Sequence, residues 1–259
     1  MHSLEKPLDH LLSDGGFCAI FRSIGCIGDS LASGEHESLT GGQKGYHDFY
    51  EYSWGQYMAR LAGCKVYNFS RGGMNARWYL DSFGDERGLW NHDLASQAYI
   101  MALGVNDISD AVRNNTDLGS IEDIDPADWR NNKRSFIGDY ARILQRYREI
   151  APDSYFFLMT IPRDGQNNER TPLEEQHRDL LYALAELFPN VFVLDLRAYA
   201  PVYDDAFRHQ YFLGGHMNPM GYLLTARMVV SYIDYIIRSD MRRFAQVGFI
   251  NTPWKNTAQ

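Results

Sequence analysis

The sequence predicts an α/β fold in which helices cover both faces of a parallel sheet. Three observations predict it. Five short apolar runs rich in branched and aromatic residues recur along the chain. Longer stretches with helical spacing separate them, and clusters of glycine, asparagine and serine follow where strands would end. Nearly continuous apolar strands need cover on both faces, which a helix-flanked parallel sheet provides. Right-handed crossovers then leave few topologies. Ligands of such sheets bind outside the carboxyl ends of the strands, so the functional residues are expected there.

In chain order, the strands are predicted at Ser23–Ile27, Lys65–Phe69, Ala98–Leu103, Tyr155–Ile161 and Val191–Leu196. Helices are predicted at Trp54–Ala62, Lys133–Ile150, Pro172–Leu187 and Pro219–Ser239. The second carries Phe136, Tyr140, Ile143, Leu144 and Tyr147 on one face. In the third, Thr171 reads as an N-cap, Pro172 as the first helical residue and Glu174 as the capping-box partner. The apolar run from Gly221 is broken by Arg227 and Asp234, so it reads as a buried helix, not a membrane span.

With 259 residues, 45% of them hydrophobic and 22% charged, the chain reads as one globular domain over 1–259. Residues 1–22 form an N-terminal arm of that domain, and 240–259 a C-terminal extension. A net charge of −8 argues against nucleic acid or an anionic membrane as partner. The mixed-charge start "MHSLEKPLDHLL" lacks the pattern of a secretory signal. Three cysteines, Cys18, Cys26 and Cys64, have no metal-like spacing and suit a reducing compartment. A cytoplasmic location is therefore expected.

Four segments fall at predicted strand ends. Gly28-Asp29-Ser30-Leu31 follows the first strand, and "NFSRGGMN" (Asn68 to Asn75) holds the end of the second. Gly104-Val105-Asn106-Asp107 follows the third, and "LGGHMNPMGY" (Leu213 to Tyr222) opens the last helix. Each supplies a part that acyl transfer needs. A serine hydroxyl becomes a nucleophile when a base takes its proton, and neutral imidazole is the usual base. Ser30 and His216 fit those roles. The tetrahedral intermediate needs donors for its oxyanion, and the N–H of Ser30, the N–H of Gly73 and the amide of Asn106 make three. Singly, each has a plainer reading: a helix cap at Ser30 or His216, a tight turn at Gly72-Gly73, a turn residue at Asn106. Those readings leave unexplained why Ser, Gly, Asn and His come in this order, each at a strand end.

The joint pattern resembles the SGNH hydrolases, the GDSL esterase/lipase family, named for these four residues. "GDSL" is intact with Ser30 at the nucleophile's position. Gly73 aligns with the oxyanion glycine, "GVND" places Asn106, and "GHMNPMGY" places His216. The resemblance spans about Ile24 to Tyr222. It implies a three-layer α/β/α flavodoxin-like sandwich whose five-stranded parallel sheet has the order 2-1-3-4-5.

One position departs. The family carries an Asp three residues before its histidine, and this chain has Leu213 followed by Gly214 and Gly215. The expectation is that a backbone carbonyl near Leu213 orients the ring, making a Ser–His dyad. The alternative is that Asp204 or Asp205 folds back as the acid. "GEHES" (Glu35, His36, Glu37) and "YHD" (His47, Asp48) lack the fixed helical spacing of a metal pair and read as a solvated loop. That loop, 33–52, suits a pocket wall, a lid or the interface of a homo-oligomer. Arg71 reads as a surface ion-pair residue or a ligand for an anionic substrate group, and Cys26 as core.

The expected function is a serine esterase or deacylase. It would act on a small-molecule ester of a short acyl group, such as an acetylated sugar, through an acyl-enzyme. No metal or organic cofactor is implied. Two rivals are an acyltransferase using the same site, and a non-catalytic binding protein that kept the fold.

Overall fold

The computed structural model describes residues 5–245 and 247–248. Nine strands are named in chain order: β1 (Ser23–Gly28), β2 (Glu35–Thr40), β3 (Gln43–Asp48), β4 (Lys65–Ser70), β5 (Ala98–Ala102), β6 (Tyr155–Met159), β7 (Val191–Leu194), β8 (Phe212–Leu213) and β9 (His216–Met217). The helices used below are α1 (Ser30–Ser33), α2 (Trp54–Ala62), α3 (Val105–Asn114), α4 (Phe136–Ile150), α5 (Thr171–Leu187), α6 (Asp205–Tyr211) and α7 (Pro219–Ser239).

Five strands form one parallel sheet in the order β4-β1-β5-β6-β7. Counted along the chain, that is the expected 2-1-3-4-5. Alternating side chains split the core into two layers. Phe69, Tyr99, Met101, Phe156 and Leu158 face α4 and α5. Ile24, Cys26, Ile100, Tyr155 and Phe157 face α2 and α7. This two-sided burial is why the strands read as continuous apolar runs. Each fully buried side chain of this kind contributes about 1.5–3 kcal/mol.

The last three strands of the sheet end earlier than predicted, two of them for visible local reasons, while β1 and β4 run one residue further. β5 stops at Ala102 because Gly104, at φ 140°, turns the chain out of the sheet. β7 stops at Leu194 because Asp195 caps the next turn, accepting from the N–H of Ala198 at 3.1 Å. The capping box expected at Thr171 is absent. Helix α5 begins at Thr171 with Arg170 in the cap position, where the N–H of Glu174 donates to the Arg170 carbonyl at 2.9 Å. Glu174 turns its carboxylate to Arg197 at 3.0 Å.

The N-terminal arm packs along α7. The N–H groups of Leu12 and Phe17 donate to Ser231 Oγ and Asp234 Oδ1, both at 2.8 Å. Of the C-terminal extension, Phe244 stacks between Tyr155 and Phe192. Residues 246 and 249–259 lie outside the described residues. Among the described residues no helix is long and apolar enough to cross a membrane.

The segment expected as a solvated loop is a β-hairpin. Strands β2 and β3 pair antiparallel from Glu35↔Asp48 to Thr40↔Gln43, separate from the main sheet. His36 is buried at its base, holding the Gly34 carbonyl at 2.9 Å and packing on Tyr222.

Candidate active site

The site grows from the ends of β1, β4 and β5. After Gly28 the chain turns at once into α1. Asp29 caps that helix, its Oδ1 accepting from the N–H of Leu31 at 3.0 Å, and Ser30 is the first helical residue. Gly28 has no alternative, because a Cβ there would overlap Ala32. Beyond β4, the turn Arg71–Met74 places Gly73 at φ 71°, the left-handed region open to glycine. Asn106, in the first turn of α3, donates from Nδ2 to the Met74 carbonyl at 3.0 Å. Its neighbour Asp107 accepts from the N–H of Ala76 at 2.9 Å, and Asn75 donates to Asp110 at 2.8 Å. The Gly73 and Asn106 segments are thus stitched together by three side-chain bonds.

His216 arrives on β9, which packs against α1. The structure overturns the expectation for its partner. Nδ1 lies 2.8 Å from Glu37 Oε1, a carboxylate and not a backbone carbonyl. The same Glu37 oxygen accepts from the N–H of Gly215 at 2.8 Å, and its other oxygen pairs with Lys44 at 3.1 Å. Leu213 cannot supply the carbonyl because it is matched with His216 across a two-residue hairpin, which engages its main chain in strand pairing. Asp204 and Asp205 are also corrected. Both are exposed, and Asp204 is spent capping α6, accepting from the N–H of Phe207 at 2.9 Å.

The second imidazole nitrogen is occupied too. Nε2 lies 3.0 Å from Glu35 Oε1. Glu35 and Glu37 are two apart on β2 and so share a face. The Glu35 carbonyl is fixed by the Tyr222 hydroxyl at 2.5 Å, and the ring of Tyr46 stands edge-on to His216 at 5.9 Å.

The two glutamates are shifted in opposite directions. Burial works against the Glu37 carboxylate, but the bonds from His216, Lys44 and Gly215 outweigh it and hold Glu37 below the usual range. Burial raises Glu35, and nearby Asp48 and Glu37 add to the rise against the pull of His216. Environments that push two carboxylates apart separate their roles. Glu37 is held toward its charged form, and Glu35 takes a proton more readily. Deeper in, burial pushes Asp29 up to about 6 and Asp107 up to about 7. One oxygen of each is buried without a hydrogen-bond partner.

Two cavities flank these groups. A polar one of about 320 Å³ is lined by Glu35, Tyr46, Asp48, Arg71 and Gly72. A larger one, about 430 Å³, touches Asp29 and Leu31 on either side of Ser30, and Gly215 just before His216. Ser30, Gly73, Asn106 and His216 line neither cavity themselves.

Sequence reasoning missed Glu37 and Glu35. A signal did exist: a Cβ at Gly214 or Gly215 would overlap the Glu37 carboxylate, so "LGGH" marks room left for a group beside the histidine. Which group fills that room is invisible in the local sequence.

Fold and site together define an α/β/α hydrolase of ester bonds with its chemistry at the strand ends. The chain belongs to the GDSL-like lipase/acylhydrolase family, whose sequence model matches residues 26–224. No curated protein matches it. Among solved structures, it is similar to a family two carbohydrate esterase from Clostridium thermocellum in complex with cellohexaose. That match has 15% identity and a TM-score of 0.57, covering 86% of this chain and 65% of that one. A Corynascus thermopiles family 2 enzyme with a carbohydrate binding domain gives 14% and 0.56, over 84% of this chain and 67% of that one. A family 3 carbohydrate esterase from Clostridium thermocellum gives 12% and 0.52, over 84% and 97%.

Proposed function

We propose that the chain is a serine esterase that works through an acyl-enzyme on Ser30, with His216 as base and Glu37 as the carboxylate that orients it. The observation that carries this reading is the 2.8 Å contact of His216 Nδ1 with Glu37, beside the helix that begins at Ser30. A carboxylate on Nδ1–H fixes the tautomer in which Nε2 is free to accept a proton, and stabilises the imidazolium that follows. Ser30 Oγ bonds to the ester carbon as its proton passes to Nε2. The carbon–oxygen bond to the alcohol then breaks, and the alcohol leaves with that proton. Water repeats the sequence and releases the acid. The N–H groups of Ser30 and Gly73 and the amide of Asn106 serve the oxyanion.

Attack requires Glu35 to leave Nε2 and turn into the polar cavity it lines. There Glu35 and Asp48 accept hydrogen bonds from hydroxyls, and the exposed Tyr46 ring offers an apolar face. This supports a carbohydrate or similar polyol as the alcohol half, as does the likeness to carbohydrate esterases. The test is covalent. An organophosphonate should label Ser30 alone, and Ser30→Ala should lose both label and turnover, by about 10⁶ in kcat. Label on another serine, or turnover surviving in the variant, refutes the assignment.

A further inference from the structure

The two cavities beside His216 differ in chemistry, and the reaction decides which half of the ester each receives. The leaving oxygen takes its proton from imidazole Nε2, so the alcohol belongs on the Nε2 side. That side is marked by Glu35, 3.0 Å from Nε2 and a wall of the polar cavity. The acyl group must lie away from it. The larger cavity fits that requirement because it opens on the residues flanking Ser30.

We propose that this larger cavity is an acyl pocket, and that the enzyme prefers a medium-length, unbranched acyl chain of about six to ten carbons over acetyl. The proposal rests on the serine-esterase reading above and revises the short acyl group expected from sequence. Its inner wall is apolar: Leu31, Ala102, Leu103, Met159, Ile161 and Pro162. Most of the polar side chains at its rim are engaged with one another or with the main chain. Arg170 donates to Ser109 Oγ at 2.7 Å and lies 3.5 Å from Glu174, which is bound by the buried Arg197 at 3.0 Å. Asp164 accepts from the N–H of Gln166 at 2.9 Å, and the Arg208 guanidinium lies 4.5 Å over the Phe212 ring. Asp29 and Tyr203, which also line it, each bury one oxygen without a hydrogen-bond partner. A volume of about 430 Å³ corresponds to roughly fourteen water-sized groups. A single acetyl methyl would leave nearly all of it empty, whereas six to ten carbons fill a large part of it. Each methylene buried raises the specificity constant about fourfold.

The experiment is a chain-length series of p-nitrophenyl esters, acetate to dodecanoate, on the full chain, Ile161→Trp and Ile161→Ala. Ile161 lies past the end of β6, half-buried and packed against the margin of the core. For the unaltered protein, kcat/KM should rise up to about 250-fold from acetate to hexanoate, the product of four such methylene steps. Ile161→Trp should abolish that rise. Ile161→Ala should move the optimum to longer chains. Should the tryptophan variant misfold, octanoate inhibiting the unaltered protein at least tenfold more tightly than acetate supports the pocket. Acetate as the best ester, a flat series, or equal losses at all lengths in Ile161→Trp overturns the acyl pocket. If the flat series is still abolished by Ser30→Ala, the serine esterase stands and only the pocket falls. If no ester is turned over in a Ser30-dependent way, both fall.

Discussion

The candidate site is assembled from two regions anchored in different ways. Ser30, Gly73 and Asn106 stand within a few residues of β1, β4 and β5, on the stiff edge of a sheet buried on both faces. Glu35 and Glu37 stand on the β2–β3 hairpin, which pairs only with itself and carries Leu39 out into solvent. The hairpin is held at the site by Glu37 on His216 and Gly215 and by the Tyr222 hydroxyl on the Glu35 carbonyl, and at its base by buried His36 on Tyr222 and by Ser33 on Asp48. The proposed nucleophile and oxyanion donors are therefore positioned by the core. The acid is positioned by its own bonds to the histidine. A scaffold of this kind keeps the first set fixed while the second can be supplied from elsewhere.

The largest test of that contrast is at Glu37. If the hairpin supplies the acid, Glu37→Gln should lower kcat by up to about 10⁴, the size seen when an orienting carboxylate is neutralised. Asp204→Asn and Asp205→Asn should leave kcat within a few-fold. Steady-state kinetics on the three variants decides it, and a larger loss at either aspartate would return the acid to the sheet side.

On the sheet side, Asn106→Ala should cost about 10²–10³ in kcat with KM nearly unchanged. A loss confined to KM would mean that Asn106 holds the ground-state substrate and not the oxyanion.

How far the sequence reached follows the same divide. Strand ends carry local motifs because a nucleophile, a left-handed glycine and an amide donor must each come within a few residues of a strand that is itself readable. Gly73 at φ 71° is legible for that reason. Glu37 lies 179 residues from His216, and no spacing rule connects them. The hairpin is itself illegible, because "EHESLT" and "QKGYHD" lack the apolar alternation that marks a half-buried strand, and "QKGYHD" exposes five of its six residues. The missing Asp at Leu213 was read correctly as a gap. The filler lay beyond the reach of local pattern.

A smaller effect concerns Asp107, which helps to join the Gly73 and Asn106 segments. Burial pushes it from 3.8 up to about 7, so the folded state binds its proton more tightly than the unfolded chain. Its contribution is therefore a penalty that is absent below pH 4, grows between pH 4 and 7, and is complete above that. The penalty is at most about 4 kcal/mol. Asp107→Asn should flatten the fall in Tm between pH 5 and 8, by calorimetry. An unchanged slope would mean that the carboxylate is ionised in the fold.

The smallest expected effect is at Lys44, an exposed partner of Glu37. Lys44→Ala should change kcat by less than about fivefold, since exposed ion pairs contribute ~0–1 kcal/mol. A larger loss would mean that the hairpin depends on that pair for its position.

The order of parts along the chain has a consequence for biosynthesis. Ser30 and both hairpin glutamates emerge early, while His216 and the helix α7 that covers one face of the sheet come near the end. At about 5–20 residues per second, the base follows the nucleophile by roughly 10–40 s. Throughout that interval the growing chain carries a serine with no base and two glutamates with no imidazole. The strand pair that carries His216, β8 with β9, follows every strand of the main sheet along the chain, so the proposed site is complete only after the sheet's last strand has been made.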